Sequence, residues 1–124
     1  MIHQDLQVWK NSIDLVVKIY SITESFPRHE IYGLSAHIRK SAISIPSNIS
    51  EGAARDHTKE YIQFLYISLG SLSELETQVI ISRRLEYIGV ELFKTIEQRI
   101  KEIRIQLASL IRSLKNKLRK SDAK

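Results

Sequence analysis

Cationic side chains are the residues of this sequence best placed to bind a ligand, and they are concentrated at its C-terminal end. Residues 99–124 carry nine basic and two acidic side chains, whereas residues 1–98 carry ten basic and twelve acidic ones. Cations in the last turns of a helix complement its dipole and keep it soluble, but clustered cations also bind RNA or DNA phosphates, or an anionic membrane surface. These interpretations stay open, with a polyanion the preferred partner. The residues are Arg112, Lys115, Lys117, Arg119 and Lys120.

Metal and cofactor chemistry is not indicated by the spacing of any residue type. The four histidines are scattered, and no Glu-x-x-His or His-Glu-x-x-His spacing places metal ligands on one helix face. None of the four glycines lies in a phosphate-binding loop motif. The chain has no cysteine, which excludes disulfides and fits a reducing compartment. We therefore expect no metal, no cofactor and a cytoplasmic location.

A polar cluster around Pro46 has the residue types of an active site but not the arrangement. Ser44, Asn48 and Glu51 lie near this proline, yet no histidine or lysine is placed to activate the serine. We prefer a structural interpretation, in which the serine and the asparagine satisfy backbone groups that the proline loosens. Glu51 and Arg55, four residues apart, then form a surface ion pair. We expect no catalytic residue and therefore no enzyme.

Composition and hydrophobic spacing predict one all-α domain over residues 1–124. The chain is 43% hydrophobic with four glycines and two prolines, which is too apolar for disorder and too poor in turn formers for a sandwich or barrel. Apolar residues recur at steps of three and four in four segments. We predict an antiparallel up-and-down four-helix bundle with helices at about 5–25, 34–56, 58–87 and 90–120. No stretch of 18 apolar residues occurs, and we expect neither an export signal nor a membrane span.

The first and third helices carry signals for their starts, ends and buried faces. Asp5 is the predicted N-cap of the first helix and Thr58 that of the third, which we expect to stop at Gly89. The segment from Phe26 to Gly33 is the predicted connection, with room for a helical turn. The predicted buried stripe of the first helix comprises Leu6, Trp9, Ile13, Val16 and Tyr20.

Three further positions have local predictions. Pro46 removes a backbone donor inside the second helix, so we predict a kink there. Gly52 indicates fraying or termination of that helix, and Gly70, inside the third helix, indicates a close helix crossing. The fourth helix has the most regular stripe, and Phe93 and Ile111 widen it enough to predict a second contact, with another subunit.

Four segments of the chain carry a specific pattern of residues. They run as Asp5-Leu6-x-Val8-Trp9-Lys10, Phe26-Pro27-x-x-Glu30-x-Tyr32-Gly33-Leu34, Ile38-Arg39-Lys40-Ser41-Ala42-x-Ser44-Ile45-Pro46-x-Asn48-Ile49-x-Glu51-Gly52-x-x-Arg55 and Glu60-x-x-x-Phe64-Leu65-x-x-x-x-Gly70-Ser71-x-x-Glu74-Leu75-Glu76. With these segments the sequence resembles the 23S ribosomal RNA intervening-sequence protein family over nearly its whole length. Lys40 and Tyr61 stand where arginine and phenylalanine are commoner, which keeps charge and aromaticity.

This resemblance implies a small four-helix bundle that assembles as a homopentameric ring. It also implies a nucleic-acid-associated scaffold, since a relative is the accessory protein of the reverse transcriptase in diversity-generating retroelements. In a ring, the cations of the second helix and its neighbour would repeat by symmetry into one positive surface. These cations are Arg39, Lys40, Arg55 and Lys59. The alternatives are pairing of Arg39 and Arg55 with nearby glutamates, and a protein adaptor that docks a polymerase-like partner.

The aromatic residues allow two interpretations. They are Trp9, Tyr20, Tyr32, Tyr61, Phe64, Tyr66 and Tyr87. Rings beside cations can stack on nucleic-acid bases, but rings on helical stripes more often fill a core or an interface. We predict packing for this set.

Overall fold

The computed structural model describes residues 6–122, which form four α-helices. The helices are α1 (Gln7–Thr23), α2 (Leu34–Ala53), α3 (Thr58–Arg84) and α4 (Val90–Asp122). Consecutive helices pack against each other, and α4 also packs against α1. The predicted all-α, antiparallel up-and-down four-helix bundle is confirmed, and each helix end lies within three residues of its predicted position. Over the described residues, no helix is long and apolar enough to cross a membrane.

The predicted buried stripe of α1 is confirmed only in part, because Leu6 is buried and Trp9 and Val16 pack against the core at its edge. The residues that α1 buries are Val8, Ser12, Leu15, Ile19, Ile22 and Thr23. Of the predicted stripe, Ile13 and Tyr20 are exposed, and Trp9 donates a hydrogen bond from Nε1 to Ser50 Oγ at 2.9 Å. The two stripes are offset by one residue, or about 100° around the helix, so one faces the core and the other flanks α2. The predicted N-cap, Asp5, lies outside the described residues.

The core consists of apolar stripes of α2, α3 and α4 together with the inner face of α1. Its largest fully buried side chains are Leu15, Ile19, Ile38, Ile45, Ile49, Leu65, Leu72, Leu75, Ile96, Ile100, Ile103 and Leu107. Ile111 is buried in the same core and Phe93 packs against it. The broad stripe of α4 is therefore used within the bundle, and these two residues provide no separate face toward another subunit.

Small polar residues let α2 and α3 lie close together. The side-chain amide of Asn48 donates to the backbone oxygen of Ser44 at 2.8 Å and to Ser44 Oγ at 2.9 Å. Ser44 Oγ lies 2.7 Å from Ser71 Oγ, and Ser68 Oγ donates to the carbonyl of Ile45 at 2.9 Å. These bonds reach the carbonyls of Ser44 and Ile45, but none of them reaches the carbonyl of Ala42, the one that Pro46 deprives of its usual donor, so satisfaction of the loosened group stays a prediction. Helix α2 continues through Pro46 without interruption, and the kink stays a prediction.

The close helix crossing lies at Gly52 and not at Gly70, where we predicted it. A Cβ at Gly52 would lie 2.7 Å from Phe64 Cβ and 2.9 Å from Tyr61 Cδ1 of α3, whereas a Cβ at Gly70 would meet no atom within 4 Å. Gly70 is on the outside of α3, where a missing side chain brings no neighbour closer. Gly52 lies one residue before the end of α2, so the helix does stop near it as predicted.

The ends of α3 also differ from prediction. Thr58 is the first helical residue of α3 and not its N-cap. The N-cap position is occupied by His57, whose side chain makes no capping hydrogen bond. Helix α3 ends at Arg84, before the predicted stop at Gly89, because Glu86 adopts a left-handed conformation with φ of 65°. The amides of Glu86 and Tyr87 bond back to the carbonyls of Arg83 and Ser82 at 3.0 and 2.9 Å. This is a Schellman ending in which glutamate occupies the position that usually favours glycine.

Glu30 ties the α1–α2 connection to the α3–α4 connection. A 3-10 turn at Arg28–Glu30 provides the predicted helical turn. Glu30 Oε1 accepts the backbone N–H of Leu34 at 3.1 Å, and Glu30 Oε2 accepts the hydroxyl of Tyr87 at 2.9 Å. The Leu34 amide is the main cause that lowers the pKa of Glu30, and the Tyr87 hydroxyl is the second. The ring of Tyr87 also packs against buried Phe26, with 5.2 Å between centroids.

Glu30→Gln is expected to remove a pH-dependent part of the stability. A carboxylate whose pKa is lowered by folding stabilises the protein above its ordinary pKa of 4.5, and this contribution is lost as pH falls through the folded pKa. Urea midpoints of wild type and Glu30→Gln should therefore differ by a constant amount near neutral pH and converge in acid. Tyr87→Phe should weaken this dependence without abolishing it. Parallel curves for wild type and Glu30→Gln would contradict the role of the carboxylate.

Candidate nucleic-acid interface

Contacts between α3 and α4 fix which cations lie together. Arg104 donates from Nη2 and Nη1 to the carboxylate of Glu76 at 3.0 and 3.3 Å, and Lys115 Nζ donates to the hydroxyl of Tyr66 at 2.6 Å. Because the helices are antiparallel, the residue seven positions before Tyr66 lies level with the residue seven positions after Lys115. Lys59 therefore lies level with the end of α4. The beginning of α3 and the last turns of α4 therefore lie at one end of the bundle.

We call this end of the bundle the basic end. Helix α4 carries no acidic residue between Ile105 and Ser121. Among the described side chains nearby, Glu51, Asp56 and Glu60 offset part of the positive charge. The basic end comprises seven exposed cations, Arg55, Lys59, Arg112, Lys115, Lys117, Arg119 and Lys120. Such a surface attracts polyanions through its summed potential, even where each cation contributes little.

Arg55 forms the ion pair that the sequence predicted. Its Nη2 lies 2.6 Å from Glu51 Oε1, and its guanidinium lies 5.2 Å from the ring centroid of Phe64. Both partners of the pair are about half exposed, so the pair contributes only about 0.3–0.5 kcal/mol. A phosphate arriving at Arg55 would compete with one weakly held carboxylate.

Tyr66 is half exposed, although we predicted that it packs in the core or an interface. The Lys115 ammonium that bonds its hydroxyl also lies 5.1 Å from its ring centroid. The ring stands at the edge of a shallow groove of about 260 Å³ between α3 and α4, whose other lining residues are Leu69, Ala108, Ile111, Arg112 and Lys115. Its position one residue after the buried Leu65 is the sequence signal that sets it outside the core stripe.

Arg39 and Lys40 do not belong to the basic end. Arg39 donates from Nε to Thr23 Oγ1 at 2.7 Å, and its guanidinium lies 4.7 Å from the ring centroid of Tyr20. Arg39 therefore holds the last turn of α1 against α2. Its partner is a hydroxyl and not one of the glutamates that the alternative prediction named. Lys40, the next residue, is exposed. The second predicted set of cations is thus divided, with Arg55 and Lys59 joining those of α4.

The described part of the chain contains no group of three or more histidine, aspartate or glutamate side chains that could hold a metal ion. His29, His37 and His57 are exposed and lie on different elements. The basic end presents exposed cations beside an exposed ring, and this arrangement suits non-covalent binding of a polyanion.

Fold and surface together define a small all-α bundle with one strongly cationic end. The chain belongs to the 23S rRNA-intervening sequence protein family, which matches residues 4–109. It is also similar to a crystal structure from Bacteroides thetaiotaomicron, described as a protein of unknown function from the S23 ribosomal protein family. The TM-score is 0.80 with 26% identity over 90% of this chain and 99% of that chain. No curated protein matches this sequence.

The family match ends before the last turns of α4. Its last residue is 109, whereas the cations of the last turns begin at Arg112. The charge of those last turns must therefore be interpreted from this chain's own residues, whereas Arg55 and Lys59 of the basic end lie within the matched part.

Proposed function

We propose that this protein is a non-enzymatic, homo-oligomeric, cytoplasmic scaffold that binds RNA or another nucleic acid through its basic end. The observation that supports this most strongly is the collection of seven exposed cations from three parts of the chain at one end of the bundle. Lysine and arginine side chains on a folded scaffold bind phosphates without reading sequence. The proposal needs no reacting group.

Exposed apolar residues support the oligomeric part of the proposal. A ring requires two different, complementary patches on each subunit, because each interface joins one patch to the other. One candidate patch lies on the outer faces of α1 and α2 and comprises Ile13, Val17, Tyr20 and Ile43. The other follows the end of α3 and its connection to α4 and comprises Ile80, Ile81, Leu85 and Val90. Five subunits is the number that the family resemblance implies.

Light scattering tests the oligomer. We expect a mass of about five subunits for wild type and a smaller mass for Val17→Asp, because Val17 is 64% exposed and its change leaves the core intact. A monomeric wild type at micromolar concentration would contradict the assembly.

A salt series tests nucleic-acid binding. Filter binding of structured RNA, single-stranded RNA and duplex DNA should give an affinity that falls steeply with salt. Each neutralised phosphate contributes about −0.7 to −0.9 to the slope of log K against log salt, so the seven cations of one subunit contribute at most about −6. Affinity independent of salt, or no binding to any polymer, would contradict this part of the proposal.

A protein adaptor is the second candidate. Tyr32 is 95% exposed and Ile31 is 53% exposed, both in the α1–α2 connection. Exposed aromatic and aliphatic residues in a connection are typical of a protein contact. A partner retained from a nuclease-treated lysate, and lost with Tyr32→Ser, would favour the adaptor, whereas a partner lost on nuclease treatment would favour the nucleic-acid scaffold.

A further inference from the structure

We infer that Tyr66 is a stacking platform for an unpaired base, so that the basic end binds single-stranded nucleic acid in preference to a duplex. The inference rests on the proposed function and adds to it a site and a substrate class. Its basis is the juxtaposition of an exposed ring on α3, an apolar groove between α3 and α4, and two cations on α4.

The ring is available to a ligand. Tyr66 is 47% exposed and lies outside the set of half-buried hydrophobic residues that pack against the core. Lys115 holds its hydroxyl at 2.6 Å, which fixes the ring against α4. An oriented ring binds a planar base at little cost in side-chain entropy, and stacking tolerates every base because each has a π-face.

The groove beside the ring accepts an apolar face. Besides Tyr66, its apolar lining residues are Leu69, Ala108 and Ile111. Its volume of about 260 Å³ is below the roughly 300–1,000 Å³ of sites that enclose a whole drug-sized ligand. The groove can therefore hold one planar group of a ligand, such as a single base, while the rest of the ligand lies outside it.

Cations are placed where the rest of a strand would lie. Arg112 and Lys115 line the groove, and Arg119 follows four residues later on the same stripe of α4. Steps of three and four residues separate these side chains by about 4.5 and 6 Å along the helix. A strand laid along α4 thus meets a cation at each turn while one base turns toward Tyr66.

Tyr20 provides an internal comparison. It is also partly exposed, and Arg39 lies over its ring at 4.7 Å, as Lys115 lies near that of Tyr66. The guanidinium of Arg39 bonds Thr23 Oγ1 and approaches the carbonyl of Tyr20 at 3.5 Å, and the ring stands away from the basic end. A tyrosine beside a cation is therefore not sufficient, and Tyr20 serves as the matched control.

The test measures fluorescence anisotropy of labelled single-stranded uridine and thymidine oligomers, and of a duplex of equal length, across a salt series. We expect wild type to prefer the single strands. Tyr66→Leu keeps apolar bulk but removes the flat ring, and it should weaken single-strand binding about tenfold at every salt concentration with the slope unchanged, because stacking releases no counterions. Tyr66→Phe keeps the ring but loses the bond to Lys115, so it should weaken binding less than Tyr66→Leu does. Tyr20→Leu should bind as wild type does, with circular dichroism confirming the fold of each variant and light scattering its assembly.

The possible failures are distinct. If wild type binds neither single strands nor duplex, the proposed function fails. If wild type binds but Tyr66→Leu binds equally well, or if the duplex is preferred, only the stacking inference is overturned. Similar affinity for uridine and thymidine oligomers, which differ in the sugar and in one methyl group of the base, supports recognition through stacking and phosphate contacts. A large preference for one of the two oligomers would overturn that readout.

Discussion

Replacing Gly52 with alanine is expected to destabilise the protein by about 1–3 kcal/mol, the usual cost of overpacking a close contact. The added Cβ would lie 2.7 Å from Phe64 Cβ and 3.2 Å from the carbonyl oxygen of Tyr61. Neither atom is the far end of a flexible side chain, so relief requires α2 and α3 to separate. Separation would in turn stretch the 2.7 Å contact between Ser44 and Ser71 and expose apolar surface in the most extensive helix pairing of the bundle.

Gly70→Ala is the matched control and should change stability in the opposite direction. Its Cβ would enter open space, and alanine in a helix interior is favoured over glycine by about 0.5–1 kcal/mol. Urea unfolding followed by circular dichroism would measure both variants at one protein concentration, because assembly makes apparent stability depend on concentration. A Gly52→Ala variant as stable as wild type, or more stable, would show that the crossing at Gly52 is not as close as described.

Replacing Lys117, Arg119 and Lys120 together with glutamine is expected to reduce affinity for a single-stranded oligomer about a hundredfold at about 0.1 M salt. Each lost phosphate contact removes about 0.7 from the salt slope for a single strand, so the slope should fall by about two. All three residues are exposed on the last turns of α4, and their replacement removes no buried group. Anisotropy titrations across the salt series measure both quantities.

An equal change of charge at the other end of the bundle controls for net charge. Arg28, Arg84 and Lys94 are also exposed, and replacing them with glutamine lowers the net charge by the same three units. Lys94 and Lys117 are 23 residues apart on one helix, or about 35 Å, which is several Debye lengths of about 10 Å. Affinity should therefore change little. Equal losses of affinity in the two triple variants would mean that the protein binds through its overall charge and not through the basic end.

Helix number, order and inner faces were largely predictable from hydrophobic spacing. The spacing failed at α1, where two apolar stripes lie side by side. Trp9, Ile13, Val16 and Tyr20 form as regular a pattern as the residues that reach the core, and only the position of α2 decides between the two. Periodicity identifies an apolar face but does not show which neighbour covers it.

The candidate site depended on pairings between distant segments, which sequence does not supply. The charge of the last 26 residues was visible, but the position of Lys59 beside them follows from the contacts of Glu76 with Arg104 and of Tyr66 with Lys115. The sequence assigned the close crossing to Gly70, and only the position of the partner helix shows that it lies at Gly52. The left-handed Glu86 likewise carries no residue signal, because the α3 ending there is set by backbone bonds.

The unequal helix lengths have a dynamic consequence. Asn11 bonds Gln106 across the α1–α4 contact at 3.0 Å, so the described start of α1 is level with about Leu110. Beyond that level α4 continues for three more turns without the described part of α1 beside it, and Leu114 and Leu118 are only half buried. Local opening needs least free energy where few apolar contacts hold a segment. We therefore expect the basic turns to be the part of α4 that unwinds most readily. A polyanion bound to them would stabilise their helical conformation.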